Sequence, residues 1–283
     1  MSQDRFHLAG VMGWPVMHSR SPLMHGHWME ELGLRGAYLP LAVPPDGLKD
    51  ALRALRPLGF AGVNLTIPHK QAALQIVDEV DPVARRIGAI SCVALREDGS
   101  LFGTNNDWRG FLGNLRQNAP GWHPGAGPAV VIGAGGGARA VCYALLDQGV
   151  PEIRVVNRSR ERAEQMNRDL GGGLKIVEWS QRDAVLSDAA LVVNATSLGM
   201  VGQPELEIDT TRIDTRAVAA DIVYTPLETR FLTELRGRGV TVVGGLGMLL
   251  HQGPPAWTLW FDRTPEVSVA LTEKMQRDIT EKL

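Results

Sequence analysis

Two cysteines in a chain of 283 residues are too few for a disulfide framework. Cys92 and Cys142 lie far apart, each within an apolar run, so no Cys-x-x-Cys metal site is available and both are expected as buried free thiols. Dense runs of lysine or arginine are missing as well. With 29 basic and 31 acidic residues the formal net charge is −2, which gives no basic field for nucleic acid or for a membrane surface. No apolar stretch approaches the length that spans a bilayer, and the opening "MSQDRFHLAGVMGW" has no signal-peptide form, so a cytoplasmic location is expected. Fixed-period repeats and low-complexity blocks are absent. What is present is ordinary globular composition, 44% hydrophobic and 21% charged, long enough for two domains of usual size. A small molecule is the expected partner, bound by a monomer or a homodimer.

The first third alternates apolar runs of strand form with helical periodicity: "FHLAGVMG", "SPLMHGHWMEELGL", "GAYLPLAV", "PDGLKDALRALRPLG" and "FAGVNLTI". Ser21 before Pro22 marks a helix start, with the serine expected to cap and the proline giving up an N–H that has no partner. Pro68 is placed to do the same for a helix carrying Lys70. "AISCVAL", the turn "REDGS" and "LFGTN" form an expected hairpin that closes a first domain near Asn106. A helix from Asp107 to about Asn118 leads into the Gly- and Pro-rich "NAPGWHPGAGP". From "PAVVIGAGGGARAV" onward, strands alternate with helices as in a parallel βαβ sheet. The fold class is therefore α/β throughout, an N-terminal α/β domain followed by a Rossmann-type parallel-sheet domain.

In "VVIGAGGGARA", Gly133, Gly135 and Ala138 fit G-x-G-x-x-G/A. The first glycine makes a tight turn, the second lets backbone approach a pyrophosphate, and the small third residue allows close helix packing. A strand before it and a helix and strand after it give this short motif the context it needs, and the helix N-terminus attracts phosphate. About 20 residues on, where a carboxylate would hold the ribose 2′-hydroxyl of NAD, the chain has Asn157, Arg158 and Ser159. An arginine pairs with a 2′-phosphate that a carboxylate would repel, so NADP is the expected cofactor.

Three segments of the first domain gather hydroxyls, amides and ions at strand ends. "WPVMHSRSPLMH" offers Ser19 and Ser21 as short donors for a carboxylate; "NLTIPHK" supplies Thr66 and Lys70; "GTNNDWRG" supplies Asn105, Asn106 and Asp107. Together with "GAGGGAR", "NRS", "NATSLGM" and "GLGMLLHQ", these occur in the order in which the shikimate dehydrogenase family carries H-S-x-S-P, N-x-T-x-P-x-K, N-T-D-x-x-G, G-x-G-G, N-R-T, N-A-T-S-x-G-M and G-L-G-M-L-x-x-Q. The chain resembles that family from residue 10 to about residue 255.

The resemblance implies reversible, NADP-dependent reduction of 3-dehydroshikimate to shikimate, a step of aromatic amino acid biosynthesis. It implies a substrate-binding catalytic domain over 1–106, a Rossmann NADP domain over 107–246, C-terminal helices over 247–283 packed back on the first domain, and a cleft between the two domains. Lys70 and Asp107 match the family's catalytic pair, and either can carry the proton. Ser19 and Ser21 match its carboxylate binders; Thr66, Gln252 and the positions beside Asn105 match its ring-hydroxyl binders; Tyr224 matches a tyrosine near the nicotinamide. Gly136, Thr196, Gly245 and Met248 join the cofactor set through the matched motifs. Two positions depart from the pattern: Ser91 stands where most members have asparagine, and Asn106 where they have threonine. Both fall among the expected substrate contacts, which keeps quinate, an aminoshikimate or another hydroxylated cyclic carboxylate in view as substrates. A ligand-sensing regulator on the same fold is the non-enzymatic alternative, and retention of Lys70 and Asp107 argues against it. His25 and His27 lie two apart on a helix and share no face, so no metal is expected, and Trp257 and Trp260 are expected to pack helices.

Overall fold

Alternating apolar runs and amphipathic stretches produce, in order, β1 (His7–Gly13), α1 (Ser21–Glu31), β2 (Gly36–Ala42), α2 (Leu48–Ala54), β3 (Phe60–Leu65), α3 (His69–Ala72), β4 (Glu79–Val80), α4 (Pro82–Ile87), β5 (Cys92–Leu95) and β6 (Leu101–Thr104). The chain continues through α5 (Asp107–Asn118), β7 (Ala129–Ile132), α6 (Gly136–Asp147), β8 (Ile153–Val156), α7 (Arg160–Asp169), β9 (Leu174–Val177), β10 (Leu191–Asn194), β11 (Val218–Asp221), α8 (Arg230–Gly237), β12 (Thr241–Val243), α9 (Leu246–His251), α10 (Gly253–Phe261) and α11 (Val269–Glu281). This computed structural model describes residues 6–282. It falls into two units, one running to Asn106 and adding Gln252–Met275, the other holding Asp107–His251 and the chain from Gln276 onward. No helix among the described residues is long and apolar enough to cross a membrane.

The first unit has a mixed six-stranded sheet in the order β2-β1-β3-β5-β6-β4. β1 runs parallel to β2 and β3, and β5 runs antiparallel to both β3 and β6. That topology brings the ends of β1, β2 and β3, the start of β5 and the end of β6 to one edge. On one face Leu48, Leu52 and Leu55, spaced to share a side of α2, bury against Met12, Val63, Leu65 and Val93. Each such side chain contributes about 1.5–3 kcal/mol of burial. The other face carries α1 and α10. Their fit needs glycine at two places: a Cβ on Gly253 would meet the Trp28 ring at 2.5 Å, and one on Gly62 would run into Trp260 and the Val93 carbonyl.

The second unit has six parallel strands in the order β12-β11-β10-β7-β8-β9. Counted from β7 this is the 3-2-1-4-5-6 order of a doubly wound dinucleotide-binding sheet, whose direction of winding reverses between β7 and β10. Every residue of β7, β8, β10 and β11 is buried, the continuous apolar form of a sheet covered on both sides.

Three local expectations are corrected. Ser21 does not cap α1: Arg20 occupies the cap position, and the Ser21 N–H donates instead to Ser19 Oγ at 3.3 Å. Pro68 stands at the N-cap of the helix carrying Lys70 rather than at its first position, and that helix runs four residues before tightening to a 3-10 turn, with the Lys70 carbonyl accepting from Ile90 N–H at 2.7 Å. The chain passes to the first unit after His251 rather than at 247. Residues 247–251 stay with the second unit because Gly247 lies on Asn114, whose amide donates to the Gly244 carbonyl at 2.8 Å. Cys92 and Cys142 are buried and in no disulfide, and burial pushes the Cys142 thiol up to about 12.

Candidate functional site

At the shared edge of the first sheet, the expected substrate residues are placed by backbone bonds between strand ends. Thr66 N–H donates to the Met12 carbonyl at 2.9 Å, Leu65 N–H to that of Ser91 at 2.9 Å, and Ser91 N–H to that of Thr104 at 2.9 Å. With the bond from Ile90 to the Lys70 carbonyl, this lattice fixes Thr66, Lys70, Ser91 and the start of "NND" in one neighbourhood. The Ser91 hydroxyl accepts from Asn106 N–H at 2.8 Å, which leaves its own proton to donate. Asn106 is 3% exposed, and its Nδ2 has no partner among the described residues. Asn105 is structural, its amide donating to the Ala89 carbonyl at 2.9 Å. Ser19 Oγ receives the Ser21 N–H, so it too keeps its proton for an outside acceptor. Gln252 heads α10, anchored by the packing of Gly253 on Trp28.

Asp107 and Tyr224 belong to the second unit. Asp107 is the first residue of α5 and 1% exposed. Tyr224 follows the end of β11, in a loop closed by the bond from Gly245 N–H to the Val223 carbonyl at 3.2 Å. Gly245 is required there, since a Cβ would meet the Ile222 carbonyl oxygen at 2.5 Å.

The cofactor motif folds as its glycines demand. Gly133 has φ +120°, and a Cβ there would meet the Ala195 carbonyl oxygen at 2.8 Å and Thr196 Cγ2 at 3.1 Å. Gly135 stands at the N-cap of α6 with no side-chain cap, and a Cβ on it would meet nothing within 4 Å. An uncapped helix start with open space in front of it fits a pyrophosphate. Ala138 is fully buried, as close packing of α6 requires. At the end of β8, Asn157 Nδ2 donates to the Ser159 carbonyl at 2.7 Å and Ser159 Oγ caps α7. Both shape the turn that presents Arg158. Arg160 is committed to Glu164 at 2.7 Å and to Glu178, whereas Arg158 is exposed and forms no ion pair among the described residues. Thr196 uses its hydroxyl within its own turn, donating to Asn194 Oδ1 at 2.7 Å and accepting from Leu198 N–H at 3.0 Å, which leaves its backbone and methyl beside Gly133. Met248 is buried one turn into α9.

Asp221 ends β11 as the hub of this loop cluster, accepting from Val223 N–H at 2.9 Å, Thr229 Oγ1 at 2.8 Å and Asn194 Nδ2 at 3.1 Å. Burial outweighs those three donors and pushes its carboxyl up to about 6. Because the folded value lies above the unfolded one, near 4, this group's stabilisation is complete below about pH 4 and is lost as pH rises to about 6. The difference is about 3 kcal/mol. Urea unfolding of the natural chain and of Asp221→Asn at pH 4, 5 and 6 is expected to show the gap between them changing by about 2 kcal/mol across that window, and a pH-independent gap would contradict it.

Sequence reasoning passed over Tyr38 and gave no role to Asn64, the first residue of the quoted "NLTIPHK". Tyr38 Oη donates to Asn64 Oδ1 at 2.7 Å, and Asn64 Nδ2 donates to the Ser91 carbonyl at 3.2 Å. The available signal was an amide inside the apolar run "FAGVNLTI". Among the described residues no group of three or more His, Cys, Asp or Glu could hold a metal ion.

Comparison with known proteins follows the same division of the chain. Residues 11–93 match the family model for the shikimate dehydrogenase substrate binding domain, and residues 125–223 match that for shikimate / quinate 5-dehydrogenase. The shikimate dehydrogenase (NADP(+)) of Paramagnetospirillum magneticum is 55% identical over 261 residues, 92% of this chain and 95% of that protein. A shikimate 5-dehydrogenase from Thermus thermophilus, solved in complex with NADP(H) and shikimate, superposes with a TM-score of 0.85 at 39% identity, covering 96% of this chain and 99% of that one. A quinate dehydrogenase from Corynebacterium glutamicum in complex with NAD has a TM-score of 0.87 at 30% identity, covering 99% of this chain and all of that one.

Proposed function

The chain belongs to the shikimate dehydrogenase family, and we propose that it interconverts 3-dehydroshikimate and shikimate with NADP, using Lys70 and Asp107 as its catalytic pair. One observation carries the assignment of residues: the strand-end lattice that gathers Thr66, Lys70, Ser91 and Asn106 immediately before Asp107 in the chain.

The Gly133–Gly136 turn would hold the pyrophosphate of NADPH and Arg158 its 2′-phosphate, and the cofactor when bound would supply the hydride for the substrate carbonyl. Ser19 and Ser21 hold the substrate carboxylate through hydroxyl donors, which fixes one end of the ring. Thr66, Ser91, Asn106 and Gln252 take the ring hydroxyls, and Tyr224 lines the nicotinamide side. Lys70 delivers a proton to the carbonyl oxygen as charge develops there and takes it back in the reverse direction, with Asp107 orienting the ammonium and hydrogen-bonding the reacting oxygen. Buried at the start of α5, Asp107 sits on a rigid element, as an orienting group requires.

The test is turnover by the purified chain with shikimate and with quinate, each with NADP and with NAD. The expected result is oxidation of shikimate with NADP at a kcat/KM well above the other three combinations. Absence of turnover with shikimate overturns the substrate, and a preference for NAD overturns the role of Arg158.

A further inference from the structure

Tyr38 lies in the middle of β2, 6% exposed and outside every motif that marks the substrate residues. Its ring stacks on that of His25 with centroids 3.9 Å apart and planes within 3° of parallel. His25 is itself fixed: it is 1% exposed, and its Nδ1 accepts the indole N–H of Trp257 at 2.7 Å, which places the ring hydrogen on Nε2. The imidazole is neutral, burial holding it down to about 3. Trp260 packs on both rings and is anchored by its own N–H to the Val93 carbonyl at 3.0 Å. The phenol thus stands on a rigid aromatic platform with only its hydroxyl directed at polar neighbours.

That hydroxyl donates to Asn64 Oδ1 at 2.7 Å. Asn64, its orientation set by that donor, donates to the Ser91 carbonyl at 3.2 Å, and the Ser91 hydroxyl receives Asn106 N–H at 2.8 Å. One buried oxygen on β2 therefore connects, through Asn64, to the end of β3, the start of β5 and the end of β6. We infer that Tyr38 is a positioning residue for the substrate site, acting through Asn64 to hold the hydroxyl-binding groups at the start of β5 and the end of β6 in place before substrate arrives. The inference rests on the substrate reading given above. Without the phenol oxygen, the Asn64 amide gains rotamers that binding must freeze again, and that cost falls on substrate affinity rather than on proton transfer.

Tyr38→Phe keeps the ring, its stacking and its burial while deleting the hydroxyl. The expected result is a KM for shikimate raised about tenfold, the KM for NADP unchanged, and kcat within about twofold. In an Asn64→Ala background, which by itself raises the same KM, adding Tyr38→Phe is expected to change it by less than about threefold, because the path through Asn64 is already cut. A purely structural tyrosine would instead lower the melting temperature and the active fraction with KM unmoved, and that pattern overturns the inference, as does full additivity of the two substitutions. If Tyr38→Phe does not fold, an Asn64→Ala variant with unchanged KM for shikimate overturns it on its own. Wild-type inactivity toward shikimate would overturn the substrate reading and this inference with it; wild-type activity with an unmoved KM in Tyr38→Phe overturns only the inference.

Discussion

Lys70→Ala is expected to lower kcat with saturating shikimate and NADP by about 10²–10⁴-fold, the range that a positioned acid–base group supplies. The substitution is well suited to the question because main-chain bonds that it leaves in place hold the local backbone. The Lys70 carbonyl keeps its bond from Ile90 N–H at 2.7 Å, and Thr66 keeps its bond from His69 N–H at 2.9 Å. His69, the neighbour that does anchor α3, is buried with Nε2 on the Val43 carbonyl at 2.8 Å and is left untouched. Melting temperature and cofactor binding should therefore stay close to those of the natural chain while turnover collapses. Lys70→Arg should rescue little, since a guanidinium keeps its proton at any working pH and cannot exchange it with the substrate oxygen. Turnover of Lys70→Ala within a few-fold of the natural chain would remove the lysine from the chemistry.

The parts of this site that were legible in the sequence are those whose physics is local. The turn between β7 and α6 declared itself because positive φ at Gly133 and open approach at Gly135 each demand glycine within a few residues of an apolar strand. The α5 helix was visible because its apolar period is uninterrupted from Asp107 to Asn118. The link between Tyr38 and Asn64 was not legible, since it is a bond across 26 residues that joins β2 to β3 over the intervening β1. The Ser21 cap failed for a related reason: residues 19 to 21 can satisfy the helix start in two ways, and the choice is made by where the loop from β1 delivers Arg20. The boundary at 247 comes from the resemblance, through the helix carrying Gln252, and no local signal in the sequence separates Leu246–His251 from it. The contacts of Gly247 with Asn114 and of His251 with Gln117 tie that segment to α5.

Arg158 should decide which dinucleotide the chain accepts. Sequence alone offered two arginines at the end of β8, and the structure separates them. Arg160 is held by Glu164 and Glu178, so its charge is already answered and its side chain is drawn toward α7 and the end of β9. Arg158 projects from a turn whose shape is set by Asn157 and by the Ser159 cap, and no carboxylate among the described residues pairs with it. A 2′-phosphate bound by a single guanidinium through charge-assisted bonds is worth about 1.5–3 kcal/mol, which corresponds to roughly 10–150-fold in affinity. Arg158→Ala is accordingly expected to raise the KM for NADP by that factor and to leave the KM for NAD within about threefold. Arg158→Glu should go further, because a carboxylate repels the phosphate and accepts from a free ribose 2′-hydroxyl, so the preference itself should turn toward NAD. Arg160→Ala is the control, expected to cost some stability at the start of α7 while leaving cofactor choice intact. Measuring kcat/KM for both cofactors on the three variants separates a specific phosphate contact from a general positive field. Equal losses for NADP in Arg158→Ala and Arg160→Ala would point to the field, since only a direct contact distinguishes an arginine already paired from one that is not.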